Sequence, residues 1–150
     1  MQQYTNQCED NRTMDYIESF RAIQALHPLS PELRDRILNQ GFTFEQVQNF
    51  LDTIDLDIAM LCFILNISGF DLCEIFKEER FSREMCTKIL AVAEVYARGY
   101  HVFQSRKLFN NWMKRESFPF SFISPLSLLN SPEGIQDVTG RIRRVGYTSL

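Results

Sequence analysis

The sequence predicts an all-α protein, a helical bundle built around a buried apolar core. Three observations carry that prediction. Apolar residues recur at three-to-four spacing over most of the chain, strand-like alternation is nearly absent, and serine, proline and glycine fall where helices should begin and end. With 150 residues, 45% hydrophobic and 23% charged, the composition is that of a folded domain and excludes wholesale disorder.

Residues 1–12 are polar and are expected to form a flexible N-terminus. Tyr16, Ile17, Phe20 and Ile23 then keep helical spacing, and the pattern stops before His27-Pro28 because a residue ahead of proline is pushed out of the helical region. Ser30 predicts an N-cap with Pro31 at the first helical position, and Gly41 a helix end after Gln40. Thr43 opens a third helix with Val47, Phe50 and Leu51 on one face. Ile58 to Leu65 is apolar almost all round and is expected to be buried on most sides. Leu72, Ile75 and Phe76 mark the next helix. Ser82 caps a long one from Arg83 to about Phe103, with Ile89, Val92, Ala93, Tyr96 and Val102 inward. A shorter helix from about Ser105 to Lys114 includes Leu108 and Trp112. A loop over 117–124 carries Phe118, Phe120 and Phe122; Ser124-Pro125 and Ser131-Pro132 then read as capped helix starts, and the last helix runs from about Pro132 to Val145. The expected organisation is a flexible segment at 1–12, a helix-turn-helix-like region at 13–81 and a C-terminal region at 82–150.

No stretch approaches the roughly 18 to 20 apolar residues of a membrane helix, and Met1 to Arg12 lacks the hydrophobic region of a signal peptide. The expectation is a cytoplasmic protein with no membrane partner. The four cysteines (Cys8, Cys62, Cys73, Cys86) form no CxxC pair, and the last three lie inside apolar helical patterns, where a reduced thiol acts as a small hydrophobe. The two histidines, His27 and His101, have no ligand spacing, so no metal is expected. Charge is divided along the chain. Residues 1–80 hold six basic against fourteen acidic residues, a net of −8, and residues 81–150 hold ten against five, a net of +5.

Asp57 to Glu79 has the spacing of a helix-turn-helix. Leu61 and Leu65 face inward, Cys62 is small where the helices approach, Asn66 tolerates positive φ at the turn, Ile67 plugs the gap beneath it, and Leu72 and Ile75 complete the second inner face. The chemistry of reading DNA is missing. The second helix offers Ser68, Gly69, Phe70, Asp71, Cys73, Glu74 and Lys77, and residues 57–79 carry five acids against one base. A net of −4 works against phosphate contact, which supplies most non-specific affinity. Lys77, Arg83 and Lys88 are the residues left to reach a phosphate. Catalytic constellations are absent as well: there is no GxSxG elbow, Gly-rich phosphate loop or HExxH, and no carboxylate is placed to orient His101. A non-enzymatic protein without a cofactor is expected.

From Tyr96 the sequence reads YARGYHVFQSRKLFNNWM, and later SPLSLLNSPEGIQDVTGRIRRVGYTSL. Val102-Phe103, Trp112-Met113, the proline-leucine turn Pro125, Leu126, Leu128 and Leu129, then Ser131, Gly134, Val138, Ile142, Arg144 and Val145, resemble in order and spacing the C-terminal domain of the Xre/MbcA/ParS antitoxin family. With the helix-turn-helix before it, the resemblance covers roughly 40–150. Gln104 stands where the family has glycine after Val-Phe, the glycine before the proline turn is missing, and the one near the chain end falls at about Thr148.

The resemblance implies an antitoxin that binds a cognate RES-domain toxin, an NAD-consuming or ADP-ribosylating enzyme, and occludes its active-site entrance. The toxin-binding residues it points to are Trp112, Arg141, Arg143, Arg144, Tyr147 and Leu150. Read without it, the same arginines are a basic last turn favoured by the helix dipole. A homo-dimer or higher oligomer through residues 1–80 is expected from the excess of Phe, Ile and Met there. Two other readings stay open: a DNA-binding autorepressor, and a helical scaffold with a different partner.

Overall fold

Ser19, Ser30, Thr43, Asp57, Ser68, Ser82 and Ser105 each accept, through a side-chain oxygen, the backbone N–H three residues ahead, and each starts a helix. Every such cap satisfies a donor that the helix leaves unpaired and is worth about 1 kcal/mol. The elements are α1 (Phe20–Gln24), α2 (Pro31–Gln40), α3 (Phe44–Ile54), α4 (Ile58–Leu65), α5 (Gly69–Glu78), α6 (Arg83–Phe103), α7 (Arg106–Lys114), a 3-10 turn (Pro125–Leu128) and α8 (Pro132–Thr148). The computed structural model describes residues 14–116 and 123–148. The polar N-terminus with Cys8, and Phe118, Phe120 and Phe122, lie outside the described residues.

Helix α6 is the axis. Ten of its residues are buried, from Cys86 to Tyr100, and they cover more than half of its circumference. It packs against α1, α2, α4, α7 and α8, so one apolar core runs without a break through the stretches before and after residue 82. Helices α6 and α8 run parallel. Ile135 and Gln136 lie beside Thr87 and Ala91 at one end, and Gly146 lies beside Val102 at the other. Helix ends are set by left-handed residues at Asp55, Asn66, Glu79 and Gln104, and by Gly41. Asn66 thus takes the positive φ expected of it, at 56°.

The all-α prediction holds, and no strand is present among the described residues, although an isolated bridge joins Thr43 and Arg80. Several details differ. Tyr16 and Ile17 are buried but precede the first helix, because Ser19 caps at Phe20 and starts it there. Helix α4 is not buried on most sides: Phe63 is 40% exposed, since the short helix covers only one flank of α6. Cys73 is exposed on the outer face of α5 and does not act as a core residue, while Cys86 is buried. Ser124 makes no cap; its hydroxyl bonds that of Ser127 at 2.9 Å, and a single 3-10 turn forms. Helix α8 continues past Val145 to Thr148.

Where α7 closes onto α6, Tyr96, Tyr100, Phe103, Phe109 and Trp112 form a chain of ring contacts with centroids 5.2–5.8 Å apart. Gly99 makes this approach feasible, since a Cβ there would stand 2.1 Å from the Phe109 ring. The Tyr100 hydroxyl donates to Asn110 Oδ1 at 2.7 Å, and the Asn110 amide donates to the Thr53 carbonyl at 3.1 Å. Tyr96 is equally buried, but its hydroxyl bonds no described residue. Gly99→Ala is expected to lower stability by about 1–3 kcal/mol through overpacking. Tyr100→Phe should cost about 1–3 kcal/mol because Asn110 loses its partner, whereas Tyr96→Phe should cost less than about 1. Urea unfolding of the three variants checks both statements.

Candidate partner-binding surface

Helix α8 is laid on the core by a stripe of residues four apart. Gly134, Val138 and Ile142 are all buried. Gly134 meets the 3-10 turn so closely that a Cβ would stand 1.8 Å from the Leu128 carbonyl oxygen, and its N–H donates to the Ser131 hydroxyl at 3.1 Å. Ser131 therefore caps α8, as its position before Pro132 suggests.

With the inner stripe fixed, the arginines that follow Ile142 are carried outward. Arg143 and Arg144 are exposed, Arg141 is half-buried, and Arg141 and Arg144 each make a contact within the fold. Glu133 lies in the first turn, but because α8 runs on to Thr148 its last turn holds no basic residue, and the three arginines are not the basic last turn that the helix dipole would favour. Tyr147 falls in the final turns of α8, but its side chain, like Leu150, is outside the described residues. Trp112 is separate from the arginines in kind. It is half-buried, with its ring stacked on Phe109 and tilted against Phe103, so much of its surface closes the aromatic core.

Gln104 stands where the sequence resemblance places a glycine, and it adopts φ 54°, the left-handed conformation that glycine enters at no cost. Its N–H bonds the Tyr100 carbonyl at 3.0 Å and its side-chain amide bonds the His101 carbonyl at 2.6 Å. The αL end of α6 is thus kept by side-chain hydrogen bonding.

Helices α4 and α5 meet at 99°. Leu61, Leu65, Leu72 and Ile75 are buried between them and α6, and Ile67 fills the corner. The outer surface carries Phe63, Phe70 (73% exposed) and Phe76 among the acids. The three residues named as candidate phosphate contacts are not gathered there. Lys77 pairs with Glu74 at 3.0 Å, Arg83 bonds Asn39 Oδ1 at 3.0 Å, and Lys88 is half-buried beside the apolar groove between α6 and α8. Each is on a different local surface.

No group of three or more His, Cys, Asp or Glu able to hold a metal exists among the described residues. The same residues contain no single helix long and apolar enough to cross a membrane. Comparison with protein-family models and with curated proteins finds no match. What the sequence did not reveal is that His27 and His101 are neighbours, with ring centroids 4.8 Å apart. Seventy-odd residues separate them, and no local pattern signals the contact.

Gly134→Ala is expected to lower stability by about 1–3 kcal/mol and to unseat the first turn of α8, because its clash is with backbone, which cannot rotate away. Gly140, where a Cβ meets nothing, supplies the control: Gly140→Ala should be neutral or stabilising. Thermal unfolding of both variants checks this.

Proposed function

We propose that this chain is an antitoxin, a binding protein that neutralises a RES-domain toxin by occluding the entrance to its NAD site. The observation that carries the reading is the solvent-facing pair Arg143 and Arg144 on α8, held outward by a helix anchored through Gly134, Val138 and Ile142. The match of Gln104 to a glycine-type backbone and the steric need for glycine at 134 support it, since both lie at positions the family motif marks. Occlusion requires no catalytic residue and no cofactor on this side of the interface. The arginines of α8 offer planar, paired donors that fit carboxylates at the rim of a partner's entrance. Arg is also among the residues that dominate interface energies.

Self-association belongs to the same proposal. Phe63, Phe70 and Phe76 stand exposed on α4 and α5, more apolar surface than scattered side chains explain. No observation favours operator binding, because the α4–α5 corner is acidic and Lys77, Arg83 and Lys88 are dispersed.

The experiment is co-expression with the product of the neighbouring reading frame, followed by affinity capture and an NAD-consumption assay. The wild-type chain should capture and silence that enzyme. The double variant Arg143→Glu with Arg144→Glu should fold normally by circular dichroism and bind at least about 100-fold more weakly, as expected when two interface arginines are reversed in charge. Capture unchanged by the double variant would place the interface elsewhere.

A further inference from the structure

Helix α6 is buried over more than half of its circumference, and one stripe of the remainder is polar. Glu94, Arg98 and His101 stand four and then three residues apart and so share a face. Across from Glu94 and Arg98 lie Arg34 on α2 and His27 after α1, and between these walls is a cavity of about 230 Å³, outside which His101 stays exposed.

Glu94 and Arg98 have the spacing of an intrahelical ion pair, but Glu94 pairs with Arg34 instead. Arg98 is left half-buried at the cavity with no hydrogen bond or ion pair among the described residues. Beside it, His27 lies against His101. Arg34 and Glu94 offset each other, so the cavity keeps the charge of Arg98 beside the His27 imidazole. Burial, then Arg98, then His101, hold the His27 pKa below its usual value, while burial pushes the Glu94 carboxyl up against the pull of Arg34 and Arg98. The carboxylate on the wall, Glu94, makes no hydrogen bond through its buried Oε1 but lies within ion-pair reach of Arg34, so the uncompensated charge at the cavity is that of Arg98. An oxyanion relieves it, and a guanidinium matches the paired oxygens of phosphate. The volume is below the roughly 300–1,000 Å³ of pockets for drug-sized ligands, which limits the occupant to a small group.

We propose that this cavity is a binding site for a single phosphate group, free or on a small monoester, held by Arg98 with His27 as a further donor. The site ties the turn after α1 and helix α2 to the central helix, so occupancy stabilises the N-terminal part of the fold. It is independent of the α8 surface and does not require the antitoxin reading.

The test is an NMR titration of the His27 imidazole in the full chain, in sodium chloride, sodium phosphate and glycerol phosphate at matched ionic strength. A bound dianion favours the imidazolium, so the His27 midpoint should move upward and saturably with phosphate, and the melting temperature should rise with it. Whichever of the two phosphates saturates at lower concentration identifies the free or esterified form. Arg98→Gln should abolish the response, Arg98→Lys should weaken it, and Lys107→Gln, an exposed charge away from the cavity, should keep it. A His27 titration identical in all three salts overturns the proposal. So does a response that never saturates, or one that survives Arg98→Gln. The wild-type titration alone decides the matter should Arg98→Gln fail to fold.

Discussion

The ring of Phe109 occupies the space where any side chain at position 99 would have to stand, and the missing Cβ of Gly99 is what lets α7 close on α6. Around that seam the rings of Tyr96, Tyr100, Phe103 and Trp112 meet Phe109 or one another, mostly tilted or edge-on, the arrangement that aromatic quadrupoles favour. The seam also carries polar ties. Asn110 links Tyr100 to the end of α3, Arg106 donates to the same Thr53 carbonyl at 2.8 Å, and Lys114 pairs with Asp55. The pairing with Lys114 holds the Asp55 carboxyl below its usual range, although at a surface so exposed it adds little stability. Once α7 is fixed, the 3-10 turn that packs on it is fixed too, and Gly134 seats α8 on that turn.

This order of dependence separates stability from the proposed function along α8. The residues that hold the helix face inward at Gly134, Val138 and Ile142, and the arginines that would meet a partner come last and face outward. A helix built this way tolerates change in its charge without losing its seat. The parallel pairing of α6 and α8 places the αL turn at Gln104 and the arginine-bearing turns of α8 at one end of the molecule. The acidic α4–α5 corner, with its exposed phenylalanines, belongs to the other half of the charge division read along the chain.

Local signals made most of the fold legible. Ser30, Thr43, Ser82 and Ser131 have side chains that can do little else ahead of an apolar helical run, and each caps as expected. Asn66 was legible for the same reason: a short polar residue between two apolar runs suits the left-handed region. Misreadings arose where distant packing overrode local pattern. Tyr16 and Ile17 have helical spacing, but their burial against the core is met by irregular backbone before Ser19. Phe63 and Cys73 sit in apolar runs yet face outward, because α4 and α5 are too short to be covered on both sides. The packing of Trp112 against Phe103 and Phe109 was likewise not legible from its local pattern. The Arg34, Glu94, Arg98 and His27 cavity joins three separate stretches and could not be read from any of them alone.

The central claim, that the arginine-bearing end of α8 is the surface a toxin meets, is tested most directly by hydrogen–deuterium exchange of the chain with and without the captured neighbouring enzyme. The account predicts new protection at residues 141–148, with the α4–α5 corner at 57–79 unchanged by that partner. Protection confined to 57–79, or none at all on a complex that demonstrably forms, would contradict it.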